Sequence, residues 1–168
     1  LQLRGIDRLF RIQGTHRYRH CLLFEVNAPL HAMRERVLDI AAISEYSGNL
    51  KSSRLVQGSG GEDACVRVCE NKQGQSWSER IVRQTPEGYE VDFLADEDGF
   101  PFPVRRMTGG WHVAGDEAGC VVKVWWEFVP ETRLLTPVLV PLMAAGASRM
   151  AKEIVEAMAG ENGPHRST

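Results

Sequence analysis

The amino-acid sequence predicts an α+β fold, in which a curved antiparallel sheet of about seven strands wraps around a long C-terminal helix, with two short helices after the first strand. One observation behind this prediction is a long helical pattern near the C-terminus. A second is a series of short alternating segments separated by Gly, Pro and Asn, which favours strands joined by hairpin turns. The third is a proline just after the first strand, where a helix can begin.

The long helical pattern covers residues 132–160. Apolar side chains recur at steps of three and four and therefore share one side of a helix: Leu139, Met143, Ala147, Met150, Ile154 and Met158. Charged side chains fall on another side, and Gly160 is a typical helix end. Residues 134–145 carry no charge, so we expect this half of the helix to be covered by protein or by a ligand.

Residues 21–26 form the first predicted strand. Pro29 then suits the first turn of a helix over 29–40, and 44–49 form a second short helix or a turn. Six further alternating segments follow, at 50–57, 64–70, 76–84, 89–95, 104–114 and 120–129. Because short turns make neighbours pair, we expect a meander that curls around the last helix and leaves a cavity for a small ligand.

Length and composition limit the classes of function. The 168 residues suggest one domain over 21–160, with an N-terminal extension at 1–20 that we expect to be flexible and a tail at 161–168. A net charge of −2 argues against nucleic-acid binding. With no apolar run of ~20 residues and no signal-peptide pattern in the sequence, we expect a cytoplasmic protein without stable membrane insertion. The four cysteines lack paired CxxC spacing and predict buried thiols rather than a metal site.

Three phrases of the sequence carry a family resemblance. They are FEVNAPLHAMRERVLDIAAISEY at 24–46, GGW at 109–111 and EFVP at 127–130. Together with the order of elements they resemble the START, pollen-allergen and polyketide-cyclase superfamily, also called SRPBCC, over residues 21–160. The resemblance implies a helix-grip fold. It implies no single activity, because the superfamily contains both enzymes and carriers.

A fourth phrase, Trp77-Ser78-Glu79-Arg80, resembles one strand of the tetracenomycin-type aromatase/cyclases. In that family an inward Ser and Arg act on a polyketide, so the resemblance implies that Ser78 and Arg80 point into the cavity. Tyr46 stands in a shorter loop at the place of the family's inward tyrosine. The resemblance also implies that neither a cofactor nor a metal is needed.

Arg80 and Ser78 are therefore the candidate catalytic residues. A guanidinium with fixed paired donors suits an enolate or ketone oxygen, and a hydroxyl can relay a proton. The alternative is that Arg80 lies in solvent, which would turn Trp77, Glu79, Ile81 and Arg83 inward and bury more charge. If Arg80 is inward, a salt bridge with Glu70 is an equally simple explanation of both residues, although Glu70 beside Arg80 could also act as a base.

Large apolar side chains on the proposed inner faces are candidates for the cavity wall, although the same residues would serve equally well as ordinary core. The candidates are Tyr89, Phe93, Trp111, Trp126, Met143 and Met150. The loop at 100–103 forms either a lip of the entrance or a packed hairpin end.

Two hypotheses follow from these residues. The first is a polyketide aromatase/cyclase that closes and dehydrates rings of a poly-β-ketone bound to an acyl carrier protein. The second is a non-catalytic binder or carrier of a hydrophobic or aromatic small molecule, such as a lipid or quinone. Either protein could be a monomer or a homodimer.

Overall fold

The computed structural model describes residues 5–57 and 65–160. Eight strands form one sheet: β1 Gly5–Arg11, β2 Tyr18–Val26, β3 Leu50–Gln57, β4 Cys65–Asn71, β5 Ser76–Thr85, β6 Gly88–Phe93, β7 Val104–Gly115 and β8 Cys120–Pro130. The helices are α1 Leu30–Leu38, α2 Ile43–Tyr46 and α3 Thr136–Ala159, with a 3₁₀ turn at Ile40–Ala42. Residues 1–4, residues 58–64 with the glycine-rich segment 58–61, and the predicted tail at 161–168 lie outside the described residues.

The strand order is β1-β2-β8-β7-β6-β5-β4-β3, and every pair is antiparallel. Each strand from β3 to β8 pairs with its neighbours in sequence, and β2 pairs with both β8 and the edge strand β1. The helix α3 lies against β2 and β8. This arrangement confirms the predicted helix-grip fold, with the sheet folded around the C-terminal helix.

The N-terminal region differs from the prediction. Gly5–Arg11 is not a flexible extension but an edge strand, and it pairs with β2 from Gly5 opposite Phe24 to Arg11 opposite Tyr18. A tight turn brings β1 back beside β2: Gly14 has a φ of 75°, and the Thr15 amide donates to the Ile12 carbonyl at 3.1 Å. The sheet therefore has eight strands rather than about seven.

Both short helices begin within one residue of their predicted starts at 29 and 44, and they end at Leu38 and Tyr46, before the predicted ends at 40 and 49. Pro29 directly precedes α1, where its missing amide costs no helical hydrogen bond. Met33 and Val37, one turn apart, are buried beneath the helix. The 3₁₀ turn and α2 then lead the chain to β3, and Ile40 and Ile43 are buried on the way.

The two sides of α3 have opposite environments. Val140, Ala144, Ala151, Val155 and Met158 are buried against the sheet. On the other side of its first half, Val138 is 68% exposed and Leu142 67%, and Leu134, two residues before the helix, is 88% exposed. The sheet of this chain therefore does not cover that side, and its cover by another protein or by a ligand remains a prediction. None of the helices among the described residues is long and apolar enough to cross a membrane.

Candidate ligand-binding site

A cavity of about 340 Å³ lies between the concave face of the sheet and α3. Its lining comes from the strands β3 to β8, from α3 and from the loop between β6 and β7. Three of the lining residues, Asn49, Gln75 and Gly146, are exposed, so the cavity opens to solvent between the start of β3, the β4–β5 turn and α3. The space that the fold implies is thus present and accessible.

The wall of the cavity is mainly aromatic and thioether. Phe93, Trp111 and Trp126 project from three adjacent strands, and Met143 and Met150 close the wall from α3. Gly109 lies between Trp126 and Phe93, and a Cβ there would approach Trp126 Cδ1 at 2.9 Å. The missing side chain at Gly109 therefore leaves room for the Trp126 and Phe93 rings, and such aromatic walls favour flat apolar ligands.

The loop between β6 and β7 serves both as packing and as wall. Phe102 meets Trp77 edge to face at 5.9 Å between ring centroids, and Phe100 meets Phe102 at 5.5 Å. Phe102 also lines the cavity. The loop is therefore packed and also lines part of the cavity, while a role as lip of the entrance remains a prediction.

A buried ion pair forms the polar part of the wall. Arg67 on β4 and Glu79 on β5 are directly opposite each other in the sheet and are only 3% and 4% exposed. Arg67 Nε donates to Glu79 Oε2 at 3.0 Å, and Arg67 Nη2 donates to the same oxygen. The second carboxylate oxygen accepts a 2.7 Å bond from the Trp77 indole nitrogen. Among the described residues that line the cavity, Arg67 and Glu79 are the only two with charged side chains.

The remaining donors of Arg67 are directed at protein groups. Its Nη1 donates to the Ile40 carbonyl at 2.8 Å and to the Tyr89 hydroxyl at 3.4 Å. Burial alone lowers the pKa of Arg67, but the Glu79 charge and hydrogen bonds outweigh burial and raise that pKa well above its ordinary value. The guanidinium is therefore a permanent cation whose charge is balanced by Glu79.

Two titratable neighbours stay protonated beside this pair. Burial, followed by the nearby Glu79 charge, raises the pKa of the Cys69 thiol. Burial also raises the pKa of the Tyr89 hydroxyl, although Arg67 acts in the opposite direction. At neutral pH the surroundings of the ion pair are thus uncharged groups.

The structure contradicts the predicted inward direction of Ser78 and Arg80. Arg80 is exposed on the outer face of the sheet, and Ser78 lies half-buried on the same face. Glu70 is also on the outer face, where Lys51 Nζ lies 2.7 Å from its carboxylate. The predicted site of Arg80, Ser78 and Glu70 is therefore not part of the cavity.

The physical reason lies in two features of β5. Turning Glu79 inward costs less than its charge suggests, because Arg67 neutralises it across the strand pair. Turning Arg83 inward is avoided altogether, because a bulge between Ile81 and Arg83 shifts the register with β6 and leaves Arg83 67% exposed. Trp77, Glu79 and Ile81 are consequently the buried face.

The other predicted site residues divide into two groups. Phe93, Trp111, Trp126, Met143 and Met150 lie in the cavity wall, although their part in binding remains a prediction. Tyr89 lies beneath the wall against Arg67, 4% exposed. Tyr46 sits half-buried on α2, outside the set of lining residues, and burial raises the pKa of its hydroxyl.

The sequence analysis does not predict Arg67 and Glu79 as residues of the cavity wall, although the sequence contains a signal for their pairing. The turn at 72–75 pairs β4 with β5 so that Asn71 and Gln75 close the hairpin. Counting back from that turn places Arg67 opposite Glu79, and opposite charges facing each other across a strand pair indicate a shared face.

A second polar cluster joins β1, β2 and α3. The Ser148 hydroxyl donates to Asp7 Oδ2 at 2.6 Å, while the buried His20 Nε2 lies 2.7 Å from Asp7 Oδ1 and 3.3 Å from Ser148 Oγ. A catalytic triad needs the acid and the nucleophile on different nitrogens of the imidazole. Here both meet the same nitrogen, so the cluster fastens the edge strand to α3. Among the described residues, no group of three or more His, Cys, Asp and Glu could hold a metal ion.

The sheet, the enclosed helix and the cavity between them define a member of the helix-grip class of proteins. Within that class, residues 23–161 match the model of the family "Polyketide cyclase / dehydrase and lipid transport", and the chain belongs to this family. No curated protein matches the chain significantly in sequence.

Solved structures repeat the same fold at low sequence identity. The di-domain aromatase/cyclase BexL of the BE-7585A biosynthetic pathway has a TM-score of 0.67 at 18% identity, with 90% of this chain covered and 52% of that protein. The STAR-related lipid transfer protein of Xanthomonas axonopodis has a TM-score of 0.64 at 12% identity, covering 93% and 94%. The Zhui aromatase/cyclase of Streptomyces sp. R1128 has a TM-score of 0.63 at 15% identity, covering 95% and 93%. These likenesses establish the fold alone.

Proposed function

We propose that this protein binds a flat, largely apolar small molecule in the cavity between the sheet and α3. The observation that carries the proposal is the cavity itself, about 340 Å³ and open to solvent, with aromatic and methionine walls and one internally neutralised polar patch. Such a space takes a ligand by burying apolar surface and orients it through a few polar groups. The family description, which includes lipid transport, is compatible with this role.

Binding without chemistry is supported by the state of the polar groups. Arg67 makes hydrogen bonds to Glu79, Ile40 and Tyr89, so its charge is already balanced before a ligand arrives. An oxyanion stabiliser needs donors that are aimed at the developing charge rather than engaged with protein. The Ser78 and Arg80 pair, which would have supplied such chemistry, lies on the opposite face of the sheet.

The second candidate is the cyclase, in which the bound molecule is a poly-β-ketone that undergoes ring closure and dehydration. The family and the structural likeness to aromatase/cyclases favour this candidate. Its polar groups would be Arg67 and Glu79, and the ion pair would have to open around the substrate. Conversion of a poly-β-ketone into a single cyclised product, lost in Glu79→Gln, would favour catalysis over binding alone.

The proposed function can be tested with a variant in which a larger side chain on α3 fills the cavity. Ala147 lines the cavity, whereas Ala145, two residues earlier, is exposed on the opposite side of the helix. We expect Ala147→Phe to weaken binding of N-phenyl-1-naphthylamine, an uncharged apolar probe, at least about tenfold, and Ala145→Phe to leave it unchanged. Probe fluorescence measures the affinity, and circular dichroism checks that both variants fold.

Equal affinity in the two variants would place the probe outside the cavity and overturn the proposal. Native mass spectrometry of the purified protein gives an independent measurement, because a retained ligand would add mass to the wild type and not to Ala147→Phe.

A further inference from the structure

The cavity contains two full charges of opposite sign and no net charge. Among the described lining residues these charges are Arg67 and Glu79, both nearly fully buried and held by the Nε–Oε2 bond of 3.0 Å. Any charged group of a ligand that enters would meet this pair in a region of low effective dielectric, where an unbalanced charge is costly.

An anionic ligand finds no free cation there. All three nitrogens of the Arg67 guanidinium are engaged with Glu79, Ile40 or Tyr89, the Cys69 thiol is a further hydrogen-bond partner, and the Glu79 charge repels a second carboxylate. A cationic ligand meets the converse difficulty, because Glu79 already accepts from Arg67 and from Trp77. Neither sign of charge can therefore be compensated without breaking the pair.

An uncharged oxygen fits what remains. A carbonyl or hydroxyl oxygen needs only a neutral hydrogen-bond partner and no counter-ion, and the side-chain amides of Asn71 and Gln75 in the cavity wall can supply one. The Cys69 thiol beside the pair stays protonated, and the amides of Asn71 and Gln75 near the opening are neutral as well. Apart from the ion pair, the polar part of the wall thus presents neutral groups.

Building on the proposed function, we infer that this cavity selects uncharged ketone- or hydroxyl-bearing ligands over carboxylates, and that Glu79 sets this selectivity by neutralising Arg67. Glu79 is then a specificity-determining residue. Free fatty acids and other organic acids are disfavoured, although their apolar portions would fit the walls.

The test compares two ligands of nearly the same shape. The neutral ketone 2-acetylnaphthalene and the anion 2-naphthoate differ by the exchange of a methyl group for a charged oxygen. Isothermal titration calorimetry of the full chain at neutral pH should give at least about tenfold tighter binding of the ketone. Equal or tighter binding of 2-naphthoate would overturn the inference while leaving the proposed function intact. Failure of both ligands to bind would count against the proposed function and the inference together.

Two variants assign the selectivity to Glu79. Glu79→Gln keeps the size and the acceptor oxygen but frees the Arg67 charge, so we expect the preference to reverse in favour of 2-naphthoate. Glu70→Gln makes the same change on the outer face, in a residue paired with Lys51, and should keep the wild-type preference. An unchanged preference in Glu79→Gln would overturn the role of Glu79.

The melting temperature of Glu79→Gln is a second readout, which can be measured even if the variant is less stable than the wild type. Since the variant leaves a buried cation without its counter-ion, 2-naphthoate should raise its melting temperature more than 2-acetylnaphthalene does. The reverse order of the two shifts would contradict the inference.

Discussion

At the scale of single residues, the Arg67–Glu79 pair makes the stability of the core depend on both partners at once. Removing one member leaves a buried charge uncompensated, whereas replacing both by apolar side chains removes the desolvation cost as well. We expect Arg67→Met to lower the free energy of unfolding by about 3–5 kcal/mol, and Arg67→Met with Glu79→Leu to lower it much less. Urea unfolding followed by circular dichroism measures both.

Arg83→Met serves as the control for this prediction. Arg83 is 67% exposed and lies 3.8 Å from Glu90, so its removal should change the free energy of unfolding by less than about 0.5 kcal/mol. A double variant as unstable as the sum of its two single variants would contradict the compensation between Arg67 and Glu79.

The same two residues explain where prediction of the site from the sequence failed. The sequence analysis weighs the two faces of β5 by the charges along that one strand. On that basis, burying the face with Glu79 and Arg83 costs more free energy than burying the face with Arg80. Burial is decided by pairs of strands, because Arg67 offsets Glu79 and a bulge turns Arg83 away. Neither effect is visible in β5 alone.

At the scale of elements, the edge strand β1 depends on a polar contact as well as on its ladder of hydrogen bonds. Asp7 links the buried His20 and the helix residue Ser148. Asp7→Ala would remove the 2.7 Å partner of His20 Nε2 and leave that nitrogen with the longer 3.3 Å contact to Ser148. We expect it to lower the free energy of unfolding by about 1–2 kcal/mol, measured by urea unfolding.

Arg8→Ala is the matched control for Asp7→Ala. Arg8 is the next residue of β1, and its exposed side chain points to the other face of the sheet. Its loss should therefore be close to neutral. Hydrogen exchange adds a second criterion, because Asp7→Ala should speed exchange of the β1 amides. Equal exchange in the two variants would contradict the proposed role of the Asp7, His20 and Ser148 cluster.

The element scale also shows what the sequence could predict. Strands β3 to β8 and α3 follow from alternation, helical periodicity and turn residues, which are local signals. The sequence pattern does not indicate β1, because charged and apolar side chains occur on both faces of this strand and do not alternate regularly. Its contact with α3 is made by Asp7 and Ser148, which are distant in sequence.

At the scale of the whole molecule, the cavity is a consequence of the fold, but its chemistry is not. A curled sheet and one helix leave space wherever their radii differ, and the walls at Trp111, Trp126 and Met150 follow from inward positions that the pattern predicts. The neutralised pair within that space depends on one cross-strand register between Arg67 and Glu79. A family resemblance could not supply that register.

The buried protonated groups give the whole molecule an alkaline limit of stability. Burial raises the folded-state pKa of Cys69 and Tyr89 above their ordinary values of 9.0 and 10.0. Above pH 9 the unfolded chain therefore releases protons that the folded chain retains, and stability falls as the pH rises. Each group contributes up to ~1.4 kcal/mol per pH unit. Below pH 9 this contribution is fully present. Urea unfolding at pH 8 and at pH 10.5 should show the loss, and Cys69→Ala with Tyr89→Phe should lose less between the same two pH values. An equal loss in both proteins would mean that other groups set the limit.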